Sequence, residues 1–222
     1  MKKFRGIIFD FNGTVILDDE KHYAGWQRYT AELGLSISED DYYEHMHGST
    51  NAAIYEYLYK KPVPEREMDT FGQPKERYYR DMFEKDPPAF AKGVEEFIAF
   101  LKKHDIPHAI ATSSEISNVT FYRKIYDLDR WFGGPVIYDD GTVKGKPAPD
   151  LYLKAGRALS IPMNQLVTVE DSCSGAQACR ASGSGMVVGV CPRGAEKFRG
   201  REYTDKVITD FTELDYRHLF EF

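Results

Sequence analysis

The chain has little that would tie it to an oxidising compartment, a membrane or a nucleic acid. Its 222 residues include 3 cysteines, Cys173, Cys179 and Cys191. The number is odd and no Cys-x-x-Cys pair occurs, so neither a disulfide framework nor a cysteine metal knuckle is indicated. Reduced thiols, and with them a cytoplasmic location, are the expectation. No stretch approaches the ~18 consecutive apolar residues of a membrane span. The opening Met1-Lys2-Lys3-Phe4-Arg5-Gly6-Ile7-Ile8-Phe9-Asp10 passes into a strand pattern where a secretory leader would carry a longer apolar run. Basic clusters are lacking too: 29 Lys and Arg face 35 Asp and Glu, a net charge of −6, which argues against a phosphate-backbone partner. There is no internal repeat and no low-complexity tract. What is present is ordinary globular material, 42% apolar and 29% charged, outside the composition of disordered chains. At roughly 150 residues per domain, the length allows one domain with a sizeable insertion.

The pattern divides accordingly. Arg5-Gly6-Ile7-Ile8-Phe9-Asp10 is an apolar run that stops at a carboxylate and meets a turn, Phe11-Asn12-Gly13-Thr14, as a buried strand does. Residues 17–88 mix charged and aromatic side chains at helical spacing, as in Trp26, Tyr29 and Leu33, then Ile54, Tyr57 and Leu58, with no strand among them. From Gly93 the rhythm alternates. Val94, Phe97, Ile98 and Leu101 give a helix face; strands follow at His108–Ala111, Pro135–Tyr138, Leu166–Glu170 and Met186–Val190. Helices are expected to about Tyr126, from about Pro149 to Leu159 and from Ser172 to Ala181. Near-continuous apolar strands alternating with helices predict an α/β fold with a doubly wound parallel sheet, formed by residues 1–16 and 89–222, with residues 17–88 as a helical insertion.

In such sheets ligands bind beyond the carboxyl ends of the strands. Those ends carry Asp10, Thr112 and Glu170-Asp171, while Lys146 lies in the loop Lys144-Gly145-Lys146-Pro147-Ala148-Pro149-Asp150. Singly each has a plain reading: a turn residue for Asp10, a helix N-cap for Thr112, a solvated charge for Lys146. Together they suit phosphoryl transfer. Asp10 and Asp171 can share one Mg²⁺, Lys146 adds positive charge, and Thr112 beside helix N–H groups can hold a phosphate. A carboxylate then attacks phosphorus and water releases the aspartyl-phosphate.

These residues fall into four ordered motifs: Phe9-Asp10-Phe11-Asn12-Gly13-Thr14; Ala111-Thr112-Ser113; Lys146-Pro147 through Asp150; and Val169-Glu170-Asp171-Ser172 followed by Gly175 and Ala178. In this the chain resembles, over nearly its whole length, the haloacid dehalogenase superfamily of phosphatases and phosphomutases. The insertion after the first motif, with His22-x-x-x-Trp26, is similar to the helical cap of the subgroup containing β-phosphoglucomutase and many sugar-phosphate phosphatases. The resemblance implies a Rossmann-like core and Asp10 as nucleophile and Mg²⁺ ligand. It further implies Asp171 with Glu170 at the metal, the backbone carbonyl of Asn12 as a further ligand, and Thr112, Ser113 and Lys146 on the phosphoryl group. A closing cap would exclude water, with His22 and His47-Gly48-Ser49-Thr50 as specificity contacts. The expected protein is a monomer acting on a small phosphorylated metabolite, with no nucleic-acid or membrane partner.

Position 12 departs from the family pattern, which carries there a second Asp as general acid and base. An amide has no useful pKa for that work, and losing a positioned acid/base costs about 10²–10⁴ in rate. Four readings stay open: a phosphatase for substrates with good leaving groups, such as acyl or anomeric phosphates; His22 substituting as acid/base, against a plain role in orienting the hinge; deamidation of Asn12-Gly13 to Asp; and a binder that does not turn over, or a chain deliberately changed at this residue. Among neighbouring chemistries a phosphomutase is the runner-up, with Lys75, Arg77 or Arg80 as holders of a second phosphate. Dehalogenation is disfavoured by Glu170-Asp171, and phosphonate cleavage would need Lys60 or Lys61 as a Schiff base.

Overall fold

The computed structural model describes residues 3–67, 70–192, 198 and 202–220. In chain order these form β1 (Gly6–Phe9), α1 (Asp19–Glu32), α2 (Glu39–Asp41), α3 (Asn51–Tyr59), α4 (Gln73–Lys85), α5 (Val94–Lys103), β2 (His108–Glu115), α6 (Ile116–Tyr126) and α7 (Leu128–Trp131), followed by β3 (Val136–Asp139), α8 (Asp150–Leu159), β4 (Leu166–Glu170), α9 (Cys173–Ala181), β5 (Met186–Val190) and β6 (Lys206–Ile208). The chain divides into two compact units, Met1–Leu17 with Ala89–Phe222, and Asp18–Pro88. Leu17, expected in the insertion, falls instead in the first unit, where its N–H donates to Ala89 O at 3.0 Å. No helix of the described residues is long and apolar enough to cross a membrane, and all three cysteines are free thiols.

The first unit is an α/β sandwich around a six-stranded sheet in the order β3-β2-β1-β4-β5-β6, with every neighbouring pair parallel. Successive strands run outward from β1 in one direction and then, from β4, in the other. The order therefore reverses between β1 and β4, the crevice where open α/β sheets bind ligands. Phe9 lies in register with both Ile110 and Val169, and the Asp10 N–H donates to Val169 O at 2.9 Å, which carries the β1–β4 ladder one residue past the strand. Asp10 and Asp171 therefore emerge side by side.

Both faces of the central strands are buried, as an uninterrupted apolar run requires. On one face Phe9 meets the rings of Phe97 at 5.6 Å and Phe132 at 6.2 Å edge-on, with Phe211 at 6.1 Å. On the other, Ile8 shares a cluster with Tyr152 and Ala155 of α8 and Ala176 and Ala178 of α9. Helix α5 shows why the sequence folds this way. Val94, Phe97, Ile98 and Leu101 are all buried, Glu95 and Glu96 open the helix and Lys102 and Lys103 close it, matching the helix dipole. Its N-cap Gly93 has φ 83°, and a Cβ there would stand 3.0 Å from Thr212 N.

Two features depart from the sequence reading. β2 runs on to Glu115, so Thr112 is a strand residue and the helix that follows is entered through Glu115, not Thr112. The pairing of β2 with β3 is irregular between Ala111 and Glu115, which bends this strand end. β6, three edge residues, offers no run long enough to read from the sequence.

The second unit packs Trp26, Tyr29, Ile37, Tyr42, Met46, Ile54, Tyr55 and Phe71 into its own core. Leu33, expected on the buried face of α1, is instead its exposed C-cap. The short α2 is fixed by a reciprocal cap: Asp41 N–H donates to Ser38 Oγ at 3.0 Å, and Ser38 N–H and Oγ donate to Asp41 Oδ2 at 2.8 and 2.7 Å. Tyr57 Oη adds a bond to Asp41 Oδ1 at 2.7 Å. The Ser38 hydroxyl, the Ser38 N–H and the Tyr57 hydroxyl together hold the Asp41 carboxyl down at about 2. A depressed carboxyl stabilises the fold above its unfolded value of about 3.9 and loses that contribution as pH falls toward the folded value. In Asp41→Asn the acid-side decline in melting temperature between about pH 4 and pH 2 should be shallower than in the parent, as read by circular dichroism.

Candidate active site

The centre of the site is a buried ammonium. Lys146, 8% exposed, donates from Nζ to Asp10 Oδ1 at 2.6 Å and to Glu170 Oε1 in a shorter contact. Burial by itself would lower the lysine's pKa, but the charges of Asp10 and Glu170 outweigh it and hold the amine protonated, above its ordinary value. Glu170 is fully buried and accepts from every side: Tyr152 Oη reaches Oε1 at 3.0 Å, and Ser172 N–H and Oγ reach Oε2 at 2.8 and 2.9 Å. Ser172 in turn caps α9, its Oγ accepting from Gly175 N–H at 3.0 Å, so Glu170 sits at the positive end of that helix. Gly175 makes room for it: a Cβ there would lie 1.8 Å from Glu170 Oε1.

Glu170, placed by the sequence among the metal ligands, accepts on both oxygens from donors of its own unit and is paired with Lys146. Asp171, 5% exposed, sits beside Thr14, whose hydroxyl donates to Oδ1 at 3.3 Å. Asp10 is pushed well above the ordinary carboxylate range by burial first; Lys146 pulls it down, and the charges of Glu170 and Asp171 push it up again. With all three carboxylates ionised, one ammonium leaves two negative charges uncompensated at the strand ends. The donors that fit a hard divalent cation are therefore Asp10 and Asp171, oxygen ligands of the type Mg²⁺ takes, in a place with the charge it would balance.

On the β2 side, Asn12 is knitted into the wall. Its Nδ2 donates to Tyr122 Oη at 3.0 Å, and its Oδ1 accepts from Ser114 Oγ at 3.0 Å and Thr112 Oγ1 at 3.3 Å. Thr112 is buried and also accepts from Ser114 N–H at 3.1 Å, whereas Ser113 points to the exposed side. The sequence reading missed Thr14, Ser114, Tyr122 and Tyr152. Ser114 was within reach, since residues i and i+2 of a strand share a face and Thr112 is its partner. Tyr152 lies within the apolar period of α8 and carried no polar signal.

In the second unit, His22 is fully engaged. Nδ1 faces Lys75 Nζ at 2.7 Å, Nε2 faces buried Asp18 Oδ2 at 3.3 Å, and the ring stacks on Tyr79 at 4.1 Å. Tyr79 Oη donates to the same Asp18 oxygen at 2.5 Å, and Lys75, itself buried, pairs with Glu76 at 2.8 Å. His47 Nε2 lies 3.1 Å from Asp19 Oδ1; Gly48 turns the chain at φ 68°. Ser49 Oγ donates to His45 O at 3.2 Å, and Thr50 caps α3, accepting from Ala53 N–H at 3.3 Å. Each residue expected to touch substrate therefore also has a structural role within this unit.

The parallel sheet with carboxylates at its strand ends places the chain among α/β enzymes. The chain belongs to the haloacid dehalogenase-like hydrolases, whose family model matches residues 7–190. It is similar to a phosphorylated carbohydrates phosphatase of Thermotoga maritima, 25% identical over 187 residues that cover 83% of this chain and 84% of that one. The protein CbbY of Cereibacter sphaeroides is 29% identical over 225 residues, 94% of this chain and 93% of its own. Among solved structures, a family IA, variant 3 hydrolase from Entamoeba histolytica superimposes with a TM-score of 0.87 at 30% identity over 97% of each chain.

Removing the ammonium should expose the cost of the cluster. Lys146→Met leaves two buried carboxylates facing each other and should lower stability at neutral pH by about 3–5 kcal/mol. Glu170→Gln in the same chain should recover part of that loss, a coupling read from urea unfolding of the two single variants and the double variant.

Proposed function

We propose that the protein is a Mg²⁺-dependent phosphatase of small phosphorylated metabolites, acting through an aspartyl-phosphate on Asp10. The observation that carries this reading is the buried Asp10–Lys146–Glu170 cluster with Asp171 beside it at the switch point. Asp10 Oδ is the nucleophile toward phosphorus, and Lys146, paired with a Glu170 that Tyr152 and Ser172 hold in place, stands where charge builds on the transferring phosphoryl oxygens. Thr112 offers a hydroxyl on the same wall. Asp10, Asp171 and the backbone carbonyl of Asn12 would hold Mg²⁺, which would supply electrostatic stabilisation of the phosphoryl group. Sugar phosphates are the first class to test, in line with the Thermotoga relative named for phosphorylated carbohydrates. The unit Asp18–Pro88 is assigned the selection of substrate.

A second reading, binding of a phosphorylated ligand without turnover, is favoured by one observation, the amide at position 12. Turnover of a panel of sugar phosphates and of 4-nitrophenyl phosphate, followed by phosphate release, separates the two. The phosphatase reading expects activity that EDTA abolishes and Mg²⁺ restores, that Asp10→Asn eliminates, and that Lys146→Met lowers in kcat by about 10²–10³. No turnover of any compound until Asn12→Asp is introduced would favour the binder.

A further inference from the structure

The side chain at position 12 is not merely unable to titrate; it is fastened. Three hydroxyls hold it: Tyr122 at 3.0 Å on the amide nitrogen, and Ser114 at 3.0 Å and Thr112 at 3.3 Å on the amide oxygen. Tyr122 is itself 1% exposed and packs its ring 5.0 Å from that of Phe11. The partners come from β2 and α6, the two elements that form this wall of the site. The amide is thus part of the wall, with no proton to give to a departing oxygen. Lys146, the buried ammonium of the same unit, already donates to Asp10 and Glu170.

Building on the phosphatase reading, we infer that this site is selective for phosphates whose leaving group departs as a stable anion: acyl phosphates first, anomeric sugar phosphates next, primary alkyl phosphates last. In the first step an Asp10 carboxylate oxygen bonds to phosphorus while the bond from phosphorus to the leaving oxygen breaks. Its electron pair leaves with that oxygen, unprotonated. In the second, water oxygen bonds to phosphorus, the Asp10–phosphorus bond breaks to regenerate the carboxylate, and the water protons pass to the phosphate product and to solvent. Neither step draws a proton from, or delivers one to, residue 12. Residue 12 offers the second step no base, so a good leaving group makes the phosphoenzyme form faster than it decays. Tyr122, Ser114 and Thr112 are the specificity-determining support of this arrangement. The same three hydroxyls can all donate to a carboxylate of equal shape, so Asn12→Asp fits the site.

The test compares kcat/KM for acetyl phosphate, glucose 1-phosphate and glucose 6-phosphate in the parent, Asn12→Asp and Asp10→Asn, on protein whose peptide mass confirms Asn12. The parent should fall by about 10³ or more from the first substrate to the last, and Asn12→Asp should narrow that span by about 10²–10⁴. Acid-quenched intact mass spectrometry of the parent with acetyl phosphate should show one added phosphoryl group, removed by hydroxylamine and absent in Asp10→Asn. Equal rates across the series in a parent that Asp10→Asn inactivates would overturn this inference while leaving the phosphatase reading in place. The parent series alone decides this point, even were Asn12→Asp to fold poorly. Activity or phosphoryl incorporation that persists in Asp10→Asn would overturn both.

Discussion

One buried lysine sets the constraint on which the site depends. An ammonium at 8% exposure is costly unless every charge around it is met. Here the meeting is arranged by separate stretches of chain: Asp10 after β1, Glu170 at the end of β4, and Lys146 itself from the loop before α8. Glu170 in turn needs four donors, and they come from Lys146, from Tyr152 on α8, and from the N–H and hydroxyl of Ser172 at the start of α9. The glycine one turn into α9 has no other choice, because any side chain there would occupy Glu170's place. The charge cluster and the packing of both helices are thus one arrangement: loosening either helix would strand a carboxylate in the core.

Much of this is legible in the sequence. Buried strands announce themselves as apolar runs, and their ends as the polar residue that breaks the run. Asp10, Glu170 and Asp171 stand out in the sequence for that reason, and the Val94–Leu101 stripe places α5 in the same way. The failures share a cause: residue type fixes what a side chain can do, not where it points. Glu170 and Asp171 are adjacent and chemically alike, yet strand alternation sends Glu170 inward to Lys146, while Asp171 lies beside Thr14. Thr112-Ser113-Ser114 fits a helix cap and an alternating strand equally well, and strand pairing with β3 decides between them. Tyr152 carries a functional hydroxyl at the end of a ring that the helix buries for packing reasons. In the insertion, His22 is conspicuous as a titratable group and Asp18 stands four residues before it, but Lys75 and Tyr79 come from positions up to 57 residues away, as the span from His22 to Tyr79 shows, and no local pattern joins these two to His22.

Position 12 shows how a single atom's change can alter chemistry while leaving architecture alone. Amide and carboxylate have nearly the same shape, and the wall of hydroxyls around Asn12 accepts either as a hydrogen-bond partner. What changes is the proton. The bonds that hold the lysine and the strand-end carboxylates run between Lys146, Asp10 and Glu170 and between Thr14 and Asp171, whereas the amide is held from β2 and α6. In the proposed reaction the two halves of the task, attacking phosphorus and managing the leaving oxygen, therefore fall to different neighbours.

The charge balance explains why a cation belongs to the proposed reaction and not merely to the family pattern. The chain as a whole carries −6, so a phosphorylated substrate is repelled at long range. Locally the lysine does not reverse that sign, because its charge is shared by two carboxylates before any substrate arrives. The surplus falls on Asp10, whose carboxyl is pushed up by burial and by the acidic neighbours that Lys146 only partly offsets. In the proposed reaction Asp10 and Asp171 would hold a divalent cation, whose positive charge would favour both the ionised form of Asp10 and the approach of a phosphoryl group.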